Sequence, residues 1–96
     1  MIKYLDKENI NDLVKEGITL VDFYADWCGP CKMLGAVLEN MDLNIIKINT
    51  DNHHDLAVKY GVMSIPTVYI YKDGKEVSKF IGFKSKEEIN KIIDNL

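Results

Sequence analysis

The 96-residue sequence predicts an α/β domain, a central sheet with helices on its faces. Three observations carry that prediction. Strand-length apolar runs alternate from end to end with segments whose apolar residues recur at helical spacing, in the order β-α-β-α-β-α-β-β-α. Two of the runs, Ile18–Ala25 (ITLVDFYA) and Asn44–Asn49 (NIIKIN), are almost continuously β-branched, aliphatic or aromatic, as strands covered on both faces require. Asp73-Gly74 between two alternating runs is a strong hairpin signal.

The elements follow in order. Ile2–Tyr4 reads as a short first strand. Asp6 then offers an N-cap, and Ile10, Leu13 and Val14 keep helical spacing until Gly17. After the strand Ile18–Ala25, the segment Cys28-Gly29-Pro30-Cys31 opens a helix with the stripe Met33, Leu34, Val37, Leu38 and Met41. Asn44–Asn49 is the next buried strand, and Asp51–Tyr60 a short helix ended by Gly61. Thr67–Lys72 and Lys75–Ile81 are the two arms of the hairpin. Ser85 and Glu88 form a capping box for a last helix with the stripe Ile89, Ile92, Ile93 and Leu96.

Size and composition fit one domain over residues 1–96, with 47% hydrophobic and 28% charged residues. A chain this long buries roughly 60–70% of its unfolded surface, so it needs no staple or metal to fold. The net charge is −3, and all twelve basic residues are Lys. Without Arg or a basic patch the chain is a poor candidate for nucleic acid or an anionic membrane surface. No run approaches the roughly 20 apolar residues of a membrane span. The start, MIKYLDKENI, has no apolar core of a signal peptide, so a cytoplasmic location is expected.

The chemistry centres on Trp27-Cys28-Gly29-Pro30-Cys31-Lys32, where a strand ends and a helix begins. A disulfide across so short a loop adds only about 2 kcal/mol of chain-entropy stabilisation, which argues for redox or metal chemistry rather than a staple. Residues three apart on a helix stand roughly 5–6 Å apart at Cβ, close to disulfide reach, so the pair can cycle. Cys28, nearer the positive helix end and solvent, is the expected nucleophile. Cys31, one turn in, would resolve the mixed disulfide. The competing readings are a zinc half-site and two incidental thiols. A structural zinc site needs four ligands, and His53 and His54 are adjacent rather than at finger spacing.

Asp22 interrupts the apolar strand LVDFYA. Burial would raise its pKa and fit it as a general base for Cys31; an edge position facing solvent is the plainer alternative. Lys47 within IIKIN either pairs with Asp22 or snorkels at a strand margin. Pro66, in Ser64-Ile65-Pro66-Thr67, would expose the Ile65 backbone to a bound peptide if cis, although a trans turn proline is the commoner state. His53 and His54 either tune the thiols or enter the next helix as solvated residues.

VDFYADWCGPCKM, then KINTD, then YGVMSIPTVYIYKDGKEV, then FIGF, resemble the thioredoxin family in order and spacing over essentially the whole chain. The WCGPCK segment is the most specific part of that resemblance. It implies a thioredoxin fold with a central mixed five-stranded sheet flanked by four helices. It implies a protein-disulfide reductase working by dithiol–disulfide exchange, with Cys28 attacking and Cys31 resolving. Asp22 matches the family's buried acid, Lys47 its partner and Pro66 its cis-proline. Trp27, Gly29, Pro30, Ile65, Pro66 and Gly82 would line an apolar docking surface for protein disulfides. The implied partners are disulfide-containing proteins and a thioredoxin reductase, met by a monomer with no bound cofactor and no metal beyond the Cys28–Cys31 couple. An oxidant, an isomerase or a redox-independent binding subunit would use the same face. The chain departs from the common bacterial pattern at Tyr24 (usually Trp), Ala36 (usually Pro), Phe83 (usually small) and in a shortened Lys32–Lys47 segment.

Overall fold

A computed structural model describes all residues, 1–96. The elements are β1 (Ile2–Tyr4), α1 (Ile10–Leu13), β2 (Ile18–Tyr24), α2 (Gly29–Glu39), β3 (Asn44–Asn49), α3 (His54–Lys59), β4 (Thr67–Lys72), β5 (Lys75–Ile81) and α4 (Lys86–Asp94). The five strands form one mixed sheet in the order β1-β3-β2-β4-β5. β3 runs parallel to both β1 and β2, whereas β4 is antiparallel to β2 and to β5.

Strand alternation divides the interior in two. Leu20, Ile45, Val68, Ile70 and Phe80 point to one face, where Leu34 and Leu38 of α2 and Ile89 of α4 cover them. Val21, Phe23, Ile46, Ile48, Tyr69 and Tyr71 point to the other, packed by Ile10 and Val14 around α1 and by Ala57 of α3. β2 is thus buried on both sides, which is why its sequence lacks polar alternation.

Several boundaries differ from those expected. Asn9, not Asp6, caps α1: its side chain accepts from the Asn11 amide at 2.9 Å, while Asp6 N donates to Glu8 at 2.8 Å in the turn before. α1 is one turn and does not run on to Gly17. The stretch after α1 is tied instead to the β4–β5 turn: the carbonyls of Val14 and Gly17 accept from Gly74 and Asp73, each at 2.9 Å. In that turn Asp73 and Gly74 both have positive φ, as a tight hairpin needs. α3 starts at His54 rather than Asp51, because the amides of Asp51, Asn52 and His53 fold back on Asn49. Met33 is 59% exposed and off the buried stripe of α2, which is Cys31, Leu34 and Leu38. The Ser85–Glu88 capping box forms in both directions, at 3.2 and 3.0 Å.

Candidate active site

The carboxyl end of β2 delivers Cys28 to the N-cap of α2, with Pro30 in the first turn, where its missing N–H costs nothing. The Cys28 sulfur accepts from the Cys31 amide at 3.2 Å. Cys28 and Cys31 are joined as a disulfide with Cα atoms 5.2 Å apart. Both sulfurs are well enclosed. Cys28 is 5% exposed and Cys31 2%, so the difference in access is smaller than expected, with Cys28 still the outer of the two. A thiolate at Cys28 would face the free N–H groups and positive end of an eleven-residue helix, a setting that favours the anion.

The rim around the disulfide comes from the same sheet edge. The Ile65–Pro66 bond is cis, and the Ile65 carbonyl oxygen lies 3.8 Å from the Cys28 sulfur. Pro66 itself is buried rather than offered at the surface, while Ile65 is half-buried. Gly82 donates to the Pro66 carbonyl at 2.8 Å, bringing the end of β5 and the 42%-exposed Phe83 to the rim. Trp27 is 70% exposed, and its indole N–H donates to Asp51 at 3.0 Å. Asp51 was not singled out in the sequence; its only signal there is an acid just past the strand that precedes it at this edge. Between Trp27 and Ile65 lies a groove of about 390 Å³, also lined by Val58, Val62 and the fully exposed Met63.

Beneath α2, Asp22 is completely buried. It pairs in register with Lys47 across β2 and β3, on the face shared with Leu20. Neither carboxylate oxygen receives a hydrogen bond; the Lys47 ammonium 3.6 Å from Oδ2 is its counter-charge. Burial raises the Asp22 pKa to about 6, and Lys47 pulls the other way without cancelling it. The solvent-edge alternative for Asp22 is therefore overturned, as is snorkelling for Lys47, which is 9% exposed. A cavity of about 540 Å³ reaches both Cys31 and Lys47 from outside.

Neither histidine is hydrogen-bonded to a cysteine, although His54 lines the groove between Trp27 and Ile65. His53 donates from Nε2 to the Leu5 carbonyl at 3.1 Å, and His54 is exposed in the first turn of α3. No three His, Cys, Asp or Glu side chains gather to hold a metal ion, and no helix is long and apolar enough to cross a membrane.

A short-loop disulfide at a helix N-terminus, enclosed by an apolar rim and backed by a buried acid, defines a dithiol–disulfide exchange protein on an α/β scaffold. The thioredoxin family model matches residues 1–95, and the chain belongs to the thioredoxin family. It is 43% identical to a thioredoxin of Chlamydia caviae, over 98% of this chain and 97% of the relative. It is 48% identical to a thioredoxin of Bacillus subtilis over 82% of each. Among solved structures, a mutant thioredoxin from Halobacterium salinarum NRC-1 superposes with a TM-score of 0.85 at 33% identity, covering 98% of this chain and 88% of that one. The chain is accordingly a thiol-disulfide oxidoreductase of the protein-disulfide reductase type.

Proposed function

We propose that residues 1–96 act as one monomeric unit that reduces protein disulfides in the cytoplasm, with electrons returned by a thioredoxin reductase. Cys28, as thiolate, attacks one sulfur of the substrate disulfide. The substrate S–S bond breaks, a mixed disulfide forms on Cys28, and the other substrate sulfur leaves as a thiolate that takes a proton from water. Cys31 then passes its proton toward Asp22 and attacks the Cys28 sulfur. The Cys28–substrate S–S bond breaks, the second substrate sulfur departs as a thiolate that takes the proton back from Asp22, and the two electrons of the dithiol have moved to the substrate. Trp27, Gly29, Pro30, Ile65 and Gly82 receive the substrate chain, with Pro66 setting the backbone beneath them. Lys47 keeps Asp22 ionisable in its buried position.

The observation that supports this reading most is the Cys28 sulfur at the N-cap of α2, 3.8 Å from the Ile65 carbonyl and beside an exposed Trp27. Asp22 titrating near 6 is mostly carboxylate at pH 7 and still takes a proton at little cost.

The test is the reduction potential of the Cys28–Cys31 couple in thiol–disulfide buffers of known poise. A value below about −220 mV places it with the reductants, on a scale that itself takes a thioredoxin as its reducing reference. A value above about −180 mV makes it an oxidant or isomerase. Cys31→Ser is expected to trap substrates as mixed disulfides on Cys28. Undiminished substrate binding and biological activity in a Cys28→Ser, Cys31→Ser double variant would instead favour a redox-independent binding subunit.

A further inference from the structure

The Lys47 ammonium has an unusual neighbourhood for a buried charge. It lies 4.5 Å from the centroid of the Tyr24 ring and 5.9 Å from that of Tyr4, and the two rings meet edge to face at 6.2 Å. The sheet register builds this group. Tyr4 stands opposite Lys47 across β1 and β3, and Lys47 stands opposite Asp22 across β3 and β2, so the three form a row on one face. Tyr24 is two residues beyond Asp22 on β2 and therefore on that face too. From above, α2 presents Gly35, where a Cβ would stand 3.3 Å from the ammonium nitrogen. The other ionisable groups lining the same cavity are Asp26, Cys31, Lys32 and Glu39.

We propose that Tyr4, Tyr24 and Gly35 are positioning residues that cradle the Lys47 ammonium against Asp22, and thereby set the pH at which Asp22 exchanges its proton. Ring faces attract a cation through their quadrupole, most strongly where water is excluded. The glycine leaves the room the ammonium occupies. Without the two rings, the flexible lysine stem is free to carry its charge toward solvent. Asp22 then loses the one opposite charge that favours its ionised form, and its midpoint rises. The significance of the cradle for the reaction rests on the proton-accepting role proposed for Asp22; its test does not.

The test follows the Asp22 carboxyl carbon by NMR through a pH titration of the reduced full-length protein. Tyr24→Leu is expected to move the Asp22 midpoint upward by about half a pH unit, roughly a threefold change in proton affinity, and Tyr4→Leu by less. Gly35→Ala is expected to shift it in the same direction. Tyr24→Phe keeps the ring face and should leave the midpoint unchanged. In a Lys47→Met background the tyrosine substitutions should have no further effect. A midpoint that stays put in both Leu variants overturns the proposal. So does an equal shift in the Lys47→Met background, since the rings would then act by burying Asp22 rather than by holding the ammonium. If Tyr24→Leu does not fold, Tyr4→Leu carries the test, because that side chain is 60% exposed. The pH profile of mixed-disulfide resolution separates the two ideas. An NMR midpoint that moves while the kinetic profile does not would end the base role of Asp22 and leave the cradle standing.

Discussion

Asp22 is a carboxylate with no hydrogen-bond donor, enclosed under α2 with one cation for company. Such a group relieves the cost of burial by holding its proton to higher pH, which is what a pKa near 6 expresses. The consequence for stability has a definite sign. Between about pH 4, where an exposed aspartate ionises, and pH 6, the folded state binds more protons than the unfolded state, so stability falls as pH rises through that window. Asp22→Asn removes this dependence. Its stability relative to the wild type should therefore increase by a few kcal/mol at most between pH 4 and pH 7, measured by urea unfolding across the range. The kinetic counterpart is Asp22→Ala, which should slow mixed-disulfide resolution at least several-fold while leaving the initial attack by Cys28 nearly unchanged. Stopped-flow traces with equal slowing of both steps would remove Asp22 from the base role. The presence of Asp22 and Lys47 among apolar neighbours was legible in the sequence, as a charge in LVDFYA and another in IIKIN. The contribution of Tyr4 and Gly35 was not. Their proximity comes from strand register and helix packing, which no local pattern carries.

At the scale of elements, the strands and the last helix were the most legible parts. β1, β3, β4 and β5 run as their apolar runs and the Asp73-Gly74 turn indicate, and β2 ends one residue early, at Tyr24. The capping box of α4 is a local motif, and both of its bonds form. Ser85→Ala should cost about 1 kcal/mol, which for a domain this size lowers Tm by about 4–8 °C in a thermal melt. α1 and α3 were the least legible. Each is short, and each begins where a side chain or carbonyl in a preceding turn takes up the free amides: Asn9 for α1, Asn49 for the turn before α3. Just beyond the end of α1, the β4–β5 turn, far away in sequence, bonds to Val14 and Gly17. α2 shows the same limit on a smaller scale. Its sequence offers Met33 and Leu34 equally to the core, and only the direction of approach to the sheet leaves Met33 outside.

On the scale of the whole molecule, β2 links everything. It lies between β3 and β4, one face toward each half of the core, and its end carries the disulfide. Phe23 illustrates the cost of disturbing it. Its ring packs against Tyr60 beyond α3 and Tyr69 on β4, at 5.5 and 6.0 Å between centroids. Phe23→Ala should lower unfolding stability by about 3–5 kcal/mol in denaturant titration, with an unchanged m-value if the native state stays compact. A loss below about 1 kcal/mol would mean that the α3 side of the sheet contributes little to global stability. The rim of the site depends on the same arrangement, since Trp27 and Ile65, which line its groove, and Gly82, which bonds to Pro66, come from three separate connections brought together because β2, β4 and β5 are neighbours.

Sequence alone determined the α/β class, the hairpin, the capped last helix and the redox pair, because each is written in residues close together along the chain. Turn chemistry, capping and the spacing of Cys28 and Cys31 act over a few residues and need no partner from elsewhere. Tertiary structure decided that Pro66 is buried while Ile65 faces the cysteines, that Asp51 anchors Trp27, and that two tyrosines and a glycine enclose Lys47. Those features depend on groups brought together by the order and register of five strands, and the energies that select among them are packing and electrostatic terms between residues distant in sequence.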